Sequence, residues 1–306
     1  MDPKQLMKEA EDSLAGGWFS SPDHLAAANL FEKAGRQYVL KNKDGVAAMG
    51  AYLKAAKSHL SKGGRGYEAA AVAYEEAGKA NPAMAPQLFK SAIELLVANG
   101  NVDRAIEVCA RSADVLDKSD LSAGAEGNPA LDFSIQVGEL AQRTSSINTR
   151  LVDALLNAFK RLVKFRRIPE AIAVGDQLVD FYQQLKLDLS ARKMYLSLMV
   201  LQIVRGDVVK AKLLLQGALE RDQQFARSAE GDAAQDFMQA YEQMNAELVK
   251  KFVSKPPFTS LEYAVTMLAQ ELNPGERVAK PKAQTQPQSK KAEEEEEDGN
   301  DFPDLS

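Results

Sequence analysis

Ala27-Ala28-Asn29-Leu30-Phe31-Glu32-Lys33-Ala34-Gly35 returns 43 residues later as Ala70-Ala71-Val72-Ala73-Tyr74-Glu75-Glu76-Ala77-Gly78, with five of nine positions identical and one aromatic replacing another. Small residues four and eight apart share one helix face, and a ring fills the gap beside them. Such a face lets a second helix approach closely and then locks it. A period of roughly 40 residues in an apolar, helix-forming chain is the mark of stacked helical hairpins. One hairpin cannot bury its own apolar face, so the hairpins must stack. The fold class expected is all-α: a TPR-like antiparallel helical-hairpin solenoid.

Bulk composition agrees with that expectation. The chain has 306 residues and is 45% hydrophobic, enough for a sizeable core or an elongated array. Its net charge of −5 is unevenly spread: residues 274–306 hold nine acids and five bases, leaving only −1 for residues 1–273. A near-neutral body with local basic patches suits an acidic partner. The single cysteine, Cys109, allows no internal disulfide and fits a reducing compartment. No run of about 18 apolar residues is present, and the N-terminus lacks a charged-then-apolar signal. A soluble cytoplasmic protein is expected.

Helical spacing and punctuation divide the chain. Helices are expected at 4–15, 23–41, 44–61, 67–80, 84–99 and 102–118, with Gly63 to Gly66 as a hairpin turn. Ser119 to Pro129 reads as a longer loop, and residues 130–147 receive no element. Further helices are expected at 148–165, 170–186, 190–205, 208–222, 231–253 and 259–272. The joints Gly100-Asn101-Val102, Arg167-Ile168-Pro169 and Gly206-Asp207-Val208 share one pattern, an aliphatic just before a helix and a small residue three positions on. Lys255-Pro256-Pro257 separates the last two helices, so the end should pack as a compact C-terminal helical bundle. The domains expected are 1–222, the repeat array; 223–273, the bundle; and 274–306, a disordered acidic tail. In that tail Lys, Pro, Gln and Ser give way to Glu293 to Glu297 and Asp298, too little apolar area to offset ordering entropy. Phe302-Pro303-Asp304-Leu305-Ser306 then has the look of a short docking peptide.

Two stretches invite a functional reading. Trp18 and Phe19 stand between Gly16-Gly17 and Ser20-Ser21-Pro22, two large aromatics on a loop. They either fold back onto their own helices or point outward, towards a partner or a membrane interface. Residues 148–165 form the clearest amphipathic helix, with Leu151, Val152, Leu155, Leu156, Phe159, Leu162 and Val163 as its buried stripe. The opposite side holds Arg150, Lys160, Arg161 and Lys164, and the following turn adds Arg166 and Arg167. Either this is a solvated face or it is an electropositive surface for an acidic partner. Nucleic acid fits poorly, because aromatics are not interleaved with the exposed bases and no binding motif occurs.

Catalytic chemistry has little to work with. The two histidines, His24 and His59, sit in helices among alanines and leucines. No His/Cys cluster has metal spacing, and no nucleophile elbow, phosphate loop or dinucleotide fingerprint occurs. The chain is read as no enzyme, with no cofactor.

Several features in register resemble one family, the soluble NSF attachment proteins, most closely the gamma type. They are the N-terminal helix, the loop with Trp18 and Pro22-Asp23, and the Ala-rich helix ending Phe31-Glu32-Lys33-Ala34-Gly35. Phe165-Arg166-Arg167-Ile168-Pro169-Glu170-Ala171-Ile172 comes next, and then the ending, a run of acids before Asp304 and Leu305. The resemblance implies a twisted array of helical hairpins with a C-terminal bundle. It implies an adaptor whose basic concave face grips an acidic, syntaxin-type SNARE complex and whose C-terminal end recruits the AAA ATPase NSF, which then disassembles the bundle during vesicle-mediated transport, ER–Golgi transport included. Trp18 and Phe19 occupy the place of the family's membrane-attachment loop, implying peripheral membrane contact. Asp304 and Leu305 match the ending that stimulates the ATPase, although a long Lys/Pro/Gln linker precedes them here. Arg150, Lys160, Arg161, Lys164, Arg166 and Arg167 are the candidate SNARE contacts. The competing expectation is a helical-repeat scaffold of another assembly, of vesicle-coat or proteasome-lid type.

Overall fold

The computed structural model describes residues 2–15, 21–61, 66–118 and 127–275. Among them are fifteen α-helices and no strand. They are α1 (Pro3–Ala15), α2 (His24–Gln37), α3 (Gly45–Leu60), α4 (Tyr67–Ala80), α5 (Ala85–Ala98), α6 (Val102–Asp117), α7 (Pro129–Ala141) and α8 (Thr149–Lys164). Then come α9 (Ile168–Gln184), α10 (Asp188–Val204), α11 (Val208–Arg221), α12 (Gln223–Ala226), α13 (Ala229–Glu242), α14 (Ala246–Val253) and α15 (Tyr263–Glu271). From α1 to α11 every helix packs on the next, and α4–α6, α6–α8 and α7–α9 also touch. That is the contact pattern of stacked helical hairpins, the TPR-like array expected from the repeat.

The repeated segment explains the close stacking. Ala27, Ala28, Phe31, Ala34 and Gly35 are buried, as are Ala70, Ala71, Ala73, Ala77 and Gly78 in the second copy. A Cβ on Gly35 would lie 2.9 Å from the Tyr52 ring of α3, and one on Gly78 would lie 2.6 Å from the Phe89 ring of α5. Each copy therefore ends in a glycine that seats an aromatic from the following helix. Any side chain there would push the ring off its seat.

The joints repeat as closely as the helices. Asn101 N–H donates to Leu96 C=O at 2.9 Å and Gly100 N–H to Val97 C=O at 3.0 Å. Gly100 itself has φ +76°. This is the Schellman arrangement that satisfies the last carbonyls of a helix. The same pair of bonds recurs after α8, α9, α10 and α13, with Arg166, Lys186, Gly206 and Met244 in the left-handed position.

Two expectations need correction. Residues 231–253 are not one helix but α13 and α14, broken at Met244, whose φ is +55°. Residues 129–141, left without an element, form α7; Asn128 caps it, accepting from Ala130 N–H, and Pro129 occupies its first turn.

The last helices close the array by folding back. α13 and α15 pack on α10, and α15 also touches α8. Met194 to Ile203 of α10 is consequently buried without interruption, polar Ser197 and Gln202 included. α15 therefore lies alongside the cationic helix α8.

Candidate functional site

Helix α8 is set by sequence alone: Asn148 accepts from Leu151 N–H at its start, and its apolar stripe packs on α7 and α9. Its outward positions are Arg150, Asp153, Asn157, Lys160 and Lys164. Arg150 is 85% exposed and reaches Glu107 of α6 at 3.6 Å. Lys160 Nζ lies 3.3 Å from Glu262, just before α15. Lys164 Nζ sits 5.2 Å from the centre of the Phe165 ring. Arg166 donates to both oxygens of Glu271 in α15, at 2.9 and 2.8 Å. Arg167, just before α9, is half-buried and pairs with Glu170 in the first turn of that helix.

Arg161 does not belong to this strip. Its side chain is only 8% exposed. It points between α6, α7 and α8, donating to Asp114 at 2.7 Å, Asp117 at 3.1 Å and the Ser134 hydroxyl at 3.1 Å. One helical step from Lys160 turns it from solvent into the helix junction. Its planar guanidinium sends Nε, Nη1 and Nη2 each to a different partner.

The surface continues across helices in a way the sequence did not disclose. Glu75 of α4 is buried and accepts from Arg111 of α6 at 2.9 Å to each oxygen, with Lys79 at 3.0 Å. Glu107, one turn from Arg111, faces Arg104, Arg111 and Arg150. Lys79, Arg111, Arg104 and Arg150 thus form a ladder over α4, α6 and α8, with Glu75 and Glu107 as rungs. Burial works against ionising Glu75, but the hydrogen bonds and charges of Arg111 and Lys79 prevail and hold its carboxyl below the usual range. The ladder displays three guanidinium groups and one ammonium, still 39% exposed at Arg111 and 41% at Arg104. Guanidinium groups bind carboxylates by paired hydrogen bonds. They supply no nucleophile or proton shuttle.

Elsewhere, Cys109 is buried, and burial with the nearby charge of Glu139 pushes its thiol up, away from reactivity. His59 is buried beside Glu32, at 2.9 Å, as a hairpin contact. No helix among the described residues is long and apolar enough to cross a membrane. Trp18, Phe19, Asp304 and Leu305 lie outside the described residues. The ends of the Trp18–Phe19 stretch are tied together, since Asp23 N–H donates to Ser13 C=O at 3.0 Å. Beside that tie a groove of about 310 Å³ opens, with Glu11, Leu14, His24, Phe31, Lys54 and Lys57 among its lining.

A family model described as "Soluble NSF attachment protein, SNAP" matches residues 1–255, the array through α14. No curated protein matches the chain.

Proposed function

This chain belongs to the soluble NSF attachment protein family, and from that premise we propose that it is an adaptor, not an enzyme, linking an acidic SNARE complex to the AAA ATPase NSF for SNARE disassembly. The observation that carries the reading is the cationic ladder over α4, α6 and α8, which falls inside the matched residues. A four-helix SNARE bundle offers rows of carboxylates along its length. Each exposed ion pair contributes only about 0.2–1 kcal/mol, so several must act together. Several adaptors around one bundle, and a membrane tether at Trp18 and Phe19, would raise the effective concentration further.

The contacts proposed are Arg150, Lys160, Lys164 and Arg166, joined by Arg104 and Arg111, with Arg167 at the edge. Arg161 acts instead through the packing of α6, α7 and α8. The syntaxin-type partner, the gamma-type character, the vesicle-transport role, ER–Golgi transport included, and a cytoplasmic, peripheral-membrane location follow from the resemblance. The division into an array at 1–222, a bundle at 223–273 and a tail at 274–306 is part of the same reading. Asp304 and Leu305 would carry stimulation of the ATPase.

The experiment is reconstitution with hexameric NSF and a SNARE bundle, in solution and on liposomes. The expected result is a three-way complex and stimulated ATP turnover. Removing residues 303–306 abolishes the stimulation but leaves bundle binding in place, and W18S with F19S lowers only the liposome-dependent part. Failure to recruit the ATPase would favour a scaffold of another assembly.

A further inference from the structure

Acids at the two ends of α15 already pair with bases on α8 and in the turn after it. Glu262 pairs with Lys160 and Glu271 with Arg166, so the C-terminal end of the described chain lies along one edge of α8. The described residues stop at Gly275, four positions after Glu271. Beyond Gly275 the sequence orders its charges in two blocks. Bases dominate first, at Arg277, Lys280, Lys282, Lys290 and Lys291, and then Glu293 to Glu297 and Asp298 make six consecutive acids. Only 17 residues separate Gly275 from Glu293. For a coil of 17 residues the root-mean-square span is about 23 Å. Helix α8, with 16 residues, is about 24 Å long. The acid run can therefore reach the whole strip from Arg166 back to Arg150.

We propose that residues 293–301 seat along the exposed strip of α8 in the same molecule, as an internal competitor for the acidic partner. This is a regulation of the surface assigned above and rests on that assignment. The three supports are continuity with the α15 contacts, the length of chain beyond Gly275, and opposite charge. Arg150 and Lys164 are exposed and anchor the two ends, and Asp153 is the acid that the tail must pass. Arg104 and Arg111 lie beside Arg150 and extend the landing surface. An acidic SNARE bundle carries many more carboxylates than the tail and displaces it. A lone acidic protein of low charge does not, so the tail raises selectivity for the full bundle.

The test uses a fluorescent peptide of residues 291–306, followed by anisotropy at low salt. The receptor is the full chain with its own tail neutralised by E293Q, E294Q, E295Q, E296Q, E297Q and D298N. The peptide should bind this chain and bind the natural chain at least about threefold more weakly, because a tethered tail works at an effective concentration in the millimolar range. Adding R150S and K164S to the neutralised chain should remove the binding. Equal peptide affinity for the natural and neutralised chains would overturn the proposal, as would binding that ignores R150S and K164S, or no binding to either chain. Binding of the SNARE bundle to the same proteins is measured in parallel. A chain that holds the bundle through the strip, yet shows no difference between tails, refutes the internal competitor and leaves the adaptor reading intact.

Discussion

Glu75 and Arg161 are the two charged side chains on which the cationic surface is mounted. Each is almost fully enclosed, and each is met there by opposite charges. Their job is placement. Glu75 fixes Arg111 by two bonds, and Arg161 draws α6 and α7 onto α8. A buried ion that loses its partner costs about 3–5 kcal/mol when nothing can rehydrate it. Asp114 is half-exposed and Asp117 a quarter exposed, so water would relieve part of that cost for R161A. R161A should lower unfolding free energy by about 2 kcal/mol, whereas K164A on the adjoining exposed strip should change it by less than about 0.5 kcal/mol. Denaturant midpoints check the pair. Equal, small losses would mean that Arg161 is a surface residue after all.

At the scale of elements, the chain is a series of helices joined by one recurrent turn. The left-handed position of that turn is filled by Gly100, Arg166, Lys186, Gly206 and Met244. A non-glycine residue there costs roughly 1 kcal/mol of backbone strain. Met244 is 65% exposed, so little packing offsets the strain. M244G should therefore raise stability by about 0.5–1 kcal/mol, and M244V should lower it, as read from equilibrium unfolding. Loss of stability in M244G would assign the methionine side chain a packing role. The same residue explains why the break between α13 and α14 was illegible. Gly100 and Gly206 announce their turns, but methionine is a good helix former and hides one. Helix α7 escaped for a different reason. It is buried on several sides, so it lacks the one-sided apolar spacing that identified α8, although Asn128-Pro129 marked its start.

Across the whole molecule, the array was legible because its repeat is local: alanines, a ring and a glycine within nine residues. The candidate surface was legible only in part. Periodicity put Arg150, Lys160 and Lys164 outside, since exposure on a helix follows from spacing. It could not show that Arg161 meets residues 44 and 47 positions earlier, or that Arg111 meets Glu75 across 36. Those pairs depend on how successive hairpins stack, which no single helix encodes. Nor could it show α15 folding back to pair Glu262 and Glu271 with Lys160 and Arg166. That return leaves one cationic wall bounded on one side by α4 and on the other by α15.

The affinity of the protein for a SNARE bundle as a function of salt tests this wall most directly. From about 50 mM to about 500 mM salt the Debye length falls from roughly 14 Å to 4 Å, which removes most of the attraction between exposed charges. Binding of the natural chain should weaken steeply over that range, and R150S with K164S should bind more weakly at low salt and respond to salt with a shallower slope. Affinity that stays level across the range, or a double variant that matches the natural chain throughout, would contradict an electrostatic grip by α6 and α8.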